Sequence, residues 1–115
     1  MIDETLVRRE HDALMHNYGR LPVAFVRGEG AHLYDADGRR YVDCMAGIGM
    51  INVGHCHPAV VEAIQRQAAT LISVSNLYYT EPMIALAEWI RDRGLGVRVF
   101  FCNSGAEANE AALKL

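Results

Sequence analysis

Residues 97–110 constrain this chain more than any other stretch. Val97, Val99, Phe100 and Phe101 form a short run of β-branched and aromatic residues, the pattern of a buried strand. Asn103 and Ser104 interrupt it, and from Ala106 onward helix formers dominate, through Glu110-Ala111-Ala112-Leu113-Lys114-Leu115. Ser104 and Glu107 stand at capping-box spacing. With Ser104 as N-cap, Gly105 and Ala106 become the first two helical residues, whose N–H groups lack intrahelical acceptors. Gly105 puts no side chain in front of a ligand, and Ala106 only a methyl. The helix dipole adds about half a positive charge at this end. A phosphate suits such a turn, with the Ser104 hydroxyl as a further donor. The same residues also suit a turn that does nothing but cap a helix, and their spacing does not separate the two readings. No Gly-x-Gly-x-x-Gly and no Gly-Lys-Ser/Thr follows the strand, which excludes a dinucleotide fingerprint and a Walker loop.

Upstream, residues 5–17 read as a weak helix carrying Leu6, Ala13 and Leu14, ended by Gly19 and Pro22. Three short strands follow near 24–27, 32–35 and 40–44, with Gly28-Glu29-Gly30 and Asp37-Gly38 between them. Asp-Gly between apolar stretches is a strong hairpin signal, so an antiparallel meander is expected. Small residues dominate 46–54, as in a loop that passes close to a neighbour. Pro58 suits a first helical turn, and Val60, Val61, Ile64, Ala68 and Leu71 keep helical spacing. Residues 72–79 read as irregular. A further helix starts at Glu81-Pro82 and closes at Gly94 and Gly96.

At 115 residues the chain amounts to one domain or less, and 51% apolar residues would supply a core. A net charge of −3 with scattered arginines excludes a nucleic-acid footprint. No apolar run approaches the roughly 18 residues of a membrane span. The acidic start, Met1-Ile2-Asp3-Glu4, lacks a signal-peptide core. Cys44, Cys56 and Cys102 make an odd, unpaired set, which favours a reducing, cytoplasmic setting. His55-Cys56-His57 offers metal-ligand types, but no fourth ligand lies nearby and packing at a helix entry explains the residues without a metal.

Taken together, these motifs resemble the class III aminotransferases, pyridoxal-phosphate enzymes of fold type I. The segment from Asn103 to Ala112 looks like the family's cofactor-phosphate turn. His16-Asn17-Tyr18, Gly28-Glu29-Gly30, Asp35-Ala36-Asp37-Gly38 and Gly54-His55-Cys56-His57-Pro58 stand in the family's order, and Ser75-Asn76-Leu77-Tyr78-Tyr79 is similar to its acetylornithine branch. The resemblance covers nearly the whole chain. It implies an α/β fold: an N-terminal α+β segment of helix, meander and helices over 1–75, then the first strand and helix of the cofactor domain over 76–115. It implies pyridoxal 5'-phosphate held by Ser104, Gly105 and Ala106, with no catalytic residue in these 115. It implies a substrate pocket lined by Tyr18 and Ile48, each of which composition alone would read as packing. Ornithine-type members are expected to carry an aromatic at the place of Ile48, and isoleucine leaves room for a longer acylated amine. Asn76 and Tyr78 would lie near a subunit interface.

The implied reaction moves the terminal amino group of N-acetylornithine to 2-oxoglutarate, in arginine biosynthesis, by a cytoplasmic homodimer with no nucleic-acid or membrane partner. Alternatives are a 4-aminobutyrate, ornithine or carrier-bound lysine aminotransferase, or a non-catalytic phosphate-binding module. A transaminase needs a lysine amine to hold the cofactor. The chain has ten arginines and a single lysine, Lys114. Nine residues of helix put Lys114 about 13 Å from Gly105, which makes it a poor choice. An N-terminal fragment, inactive by itself, is therefore expected.

Overall fold

The computed structural model describes residues 2–94, 96 and 98–115. The chain divides into two compact units, residues 1–72 and 73–115. The first holds helix α1 (Glu4–Ala13), strands β1 (Phe25–Glu29), β2 (His32–Asp35) and β3 (Arg40–Val42), a single turn α2 (Ala46–Gly49) and helix α3 (Pro58–Thr70). The second holds α4 (Glu81–Arg93) and α5 (Gly105–Lys114).

Helix α1 starts at Asp3, whose Oδ1 accepts the Thr5 N–H at 2.8 Å. It stops at Ala13, four residues short of the predicted end. The His16 ring bonds the His11 carbonyl at 2.8 Å, an oxygen that a longer helix would have used for Met15. Leu14 is accordingly extended.

The expected meander forms an antiparallel sheet in the order β1-β2-β3. Gly28 and Glu29, expected between strands, lie inside β1, and the reversal falls at Gly30 and Ala31. The second reversal is organised by Asp35. Its Oδ1 accepts the Asp37 and Arg39 amides at 3.0 and 2.8 Å, and its Oδ2 accepts the Tyr41 hydroxyl at 2.9 Å. Gly38 takes the left-handed conformation (φ 80°) that this turn requires. Strand β3 ends at Val42, before the expected Cys44, although the Asp43 N–H still donates to the Ala31 carbonyl at 2.9 Å.

Pro58 opens α3 as predicted, and Pro82 sits in the first turn of α4. Residues 98–101 are not a strand, and Val97 lies outside the described residues. A strand exists only through a ladder partner, and residues 98–101 have none among the described residues.

The core that composition would supply is not found among the described residues. Among the described residues no hydrophobic side chain is buried, and Asp35 alone is, at 8% exposure. The apolar stripes formed, but among the described residues none is fully covered. Val60 and Ile64 of α3 and Leu86 and Trp89 of α4 are all exposed.

Candidate cofactor turn and substrate pocket

The start of α5 has the predicted cap. Ser104 is extended (φ −152°, ψ 160°) and its Oγ accepts the Glu107 N–H at 3.2 Å. The Glu107 carboxylate accepts the Asn103 N–H at 2.6 Å, one residue earlier than a standard capping box would reach. Gly105 and Ala106 are the first two helical residues. Their amides have no partner among the described residues, and Ser104 keeps its hydroxyl proton to donate. A Cβ built on Gly105 meets nothing within 4 Å. Two free amides, a hydroxyl and open space at the positive end of a helix fit a phosphate ester. Lys114 stands in the last turn of the same helix, paired with Glu110 at 2.6 Å.

Tyr18 lies on the segment after α1, with its side chain exposed. That segment is tied back to the helix by His16 on the His11 carbonyl and by Arg20, whose guanidinium donates to Glu10 at 2.5 Å. Tyr18 shares an apolar cavity of about 1040 Å³ with Leu14, His16, Leu21 and Phe25. Ile48 is not in that lining. It stands on the Ala46–Gly49 turn with 89% of its surface exposed.

Small residues there predict a loop that passes close to a neighbour. The turn is left-handed throughout: Ala46 (φ 48°), Gly47 (φ 61°), Ile48 (φ 60°) and Gly49 (φ 81°). Glycine adopts this conformation freely, whereas alanine and a β-branched residue do so only under constraint.

Asp43, which is not among the residues predicted above, supplies a constraint. Its Oδ1 accepts the Met45 and Ala46 amides, both at 2.9 Å. Its Oδ2 pairs with His55 Nε2 at 2.6 Å. The His55 bond first, and the Ala46 amide next, hold the Asp43 carboxyl below the usual aspartate range despite its burial. The available signal was an aspartate at a strand end, three residues before a glycine-rich stretch, which is side-chain capping spacing.

His55 packs on the meander rather than on the entry of α3, where His57 is the N-cap and makes no side-chain cap bond. The His55 backbone makes a two-way bridge to Gly30, with N···O distances of 2.9 and 2.8 Å. Its ring lies so close to β1 that a Cβ on Gly28 would come within 2.7 Å of it. Cys44, Cys56 and Cys102 are unpaired and exposed. No helix among the described residues is long and apolar enough to cross a membrane.

Comparisons with known proteins agree with this anatomy. The family model for class III aminotransferases matches residues 13–115. The chain is 54% identical over 114 residues to the acetylornithine aminotransferase of Methanocaldococcus jannaschii, covering 99% of this chain and 29% of that protein. It is 56% identical over 102 residues to the Thermosynechococcus vestitus acetylornithine aminotransferase, covering 89% of this chain and 25% of that one. The chain thus spans between a quarter and a third of the length of these relatives. Among solved structures it superimposes on acetylornithine aminotransferase from Elizabethkingia anophelis with a TM-score of 0.91 at 36% identity, over 96% of this chain and 29% of that one. It superimposes on Plasmodium falciparum ornithine δ-aminotransferase with a TM-score of 0.90 at 31% identity, over 99% of this chain and 30% of that one. By its sequence and its fold of type I, the chain belongs to the class III aminotransferase family.

Proposed function

We propose that the protein encoded by this gene is a pyridoxal-phosphate-dependent acetylornithine aminotransferase. It moves the terminal amino group of N-acetylornithine to 2-oxoglutarate, in the biosynthesis of arginine. The observation that carries this reading is 54% identity to the Methanocaldococcus jannaschii acetylornithine enzyme across 99% of the chain.

Within these residues, Ser104, Gly105 and Ala106 hold the cofactor phosphate through one hydroxyl and two backbone amides. The bound cofactor supplies an electron sink for loss of a proton from the substrate carbon. Tyr18 offers a phenolic hydroxyl that can donate to or accept from the substrate's polar groups. Ile48 leaves space for the acyl end and presents no hydroxyl to a free amine. Lys114, paired with Glu110 at the far end of α5, takes no part in holding the cofactor, so residues 1–115 alone are inactive. The working protein is a cytoplasmic homodimer, and its three unpaired cysteines suit a reducing compartment. Asn76 and Tyr78 face the dimer partner.

A second reading, ornithine as the amino donor, draws on the ornithine aminotransferase neighbours, whose identity is lower at 31%. Steady-state kinetics of the gene-encoded protein with N-acetylornithine, ornithine and 4-aminobutyrate decides between them. The expected result is the highest kcat/KM for N-acetylornithine, and a preference for either unacylated amine overturns the proposal.

A further inference from the structure

We propose that Asp43 is a positioning residue for substrate, fastening the left-handed turn on which Ile48 stands. The inference rests on the reading of Ile48 as a pocket residue. Four consecutive left-handed residues, two of them alanine and isoleucine, do not persist unless their surroundings dictate them.

Packing of Ile48 does not dictate them, because that side chain is 89% exposed. Bonds within the turn close it without anchoring it. Gly49 N–H donates to the Met45 carbonyl at 3.1 Å, and Met50 and Ile51 N–H both donate to the Ala46 carbonyl at 2.8 Å. Among the described residues, Asp43 is the one side chain that bonds the turn's entry, at the Met45 and Ala46 amides. Its other oxygen holds His55, and His55 is bridged to Gly30 at the end of β1. The carboxylate therefore joins a strained turn to the edge of the sheet. Where Ile48 stands is set by that join.

The test uses the gene-encoded protein with N-acetylornithine. Asp43→Ala is expected to raise KM by on the order of tenfold, with kcat changed much less, because a pocket wall shifts while the reacting groups stay. In a crystal structure of the variant, Ala46 and Ile48 are expected to leave positive φ. Ala46→Gly added to Asp43→Ala is expected to recover most of the KM, since glycine takes that conformation without the carboxylate. Asp43→Ser, whose hydroxyl caps the same amides without reaching His55, is the milder variant should the alanine fail to fold. It is expected to fall between wild type and Asp43→Ala. An unchanged KM in the folded variants, an unchanged φ at Ala46 and Ile48, or no recovery by Ala46→Gly overturns the inference. Ile48→Ala separates the two levels. If it leaves KM untouched the pocket reading falls; if it moves KM and Asp43 variants do not, only the positioning role falls.

Discussion

At the scale of single residues, the most exposed commitment is Gly105. It is the first residue of α5, open on its outer side, with an amide that has no internal partner. A carboxylate there would occupy the space proposed for the phosphate and oppose its charge. Gly105→Asp is expected to weaken pyridoxal phosphate binding by at least about tenfold, read as cofactor fluorescence on titration of the apoenzyme. Unchanged affinity would remove Ser104, Gly105 and Ala106 from the site together. This end of the helix was legible in the sequence because cap chemistry is local: Ser104 and Glu107 find their partners within four residues. Asp43 was not legible in the same way. Its Met45 and Ala46 bonds are local, but its bond to His55 crosses twelve positions, and nothing in residue types alone chooses that partner.

At the scale of elements, carboxylates hold the reversals. Burial alone would raise the Asp35 carboxyl, yet the Arg39 amide, the Tyr41 hydroxyl, the Asp37 amide and the Arg39 charge together bring it below its ordinary value. Asp43 is lowered in the same sense by His55 and the Ala46 amide. Folding thus favours the ionised form of both. Their stabilisation is complete above the ordinary aspartate value of 3.8 and is lost as pH falls through the lower values of the folded state. Thermal melting of the gene-encoded protein is expected to drop steeply below about pH 4, and the double variant Asp35→Asn, Asp43→Asn to show a shallower drop from a lower starting Tm. An equally steep drop in the variant would show that other groups govern acid unfolding. The meander was readable because Asp37-Gly38 announces its own turn. The apolar run at 98–101 stays unpaired because a ladder needs a neighbour that these residues do not bring with them. The helix predicted over 5–17 overran because a side chain, His16, took the carbonyl that would have continued it.

At the scale of the whole molecule, composition misled most. Half the residues are apolar, yet among the described residues the only one buried is an aspartate. Periodicity says which face of a helix is apolar and nothing about what lies against it. Phe100, Trp89, Ile64 and Val60 all remain exposed. Residues 1–115 produced alone are expected to bind the dye ANS, to lack a cooperative melt and to show no transamination. A sharp calorimetric transition with no dye binding would contradict the missing core, and measurable turnover would contradict the role denied to Lys114.

The Gly30–His55 bridge carries a consequence for how the first unit assembles. It shuts a loop of about 25 residues, an entropic toll that is unrewarded until both ends are already shaped. The two tight reversals of the meander need only near neighbours and are expected to come first. The imidazole then arrives against the bare backbone of Gly28, where any larger residue would bar its way. Handedness at Ala46–Gly49 is therefore expected to be settled late in folding, when the histidine docks.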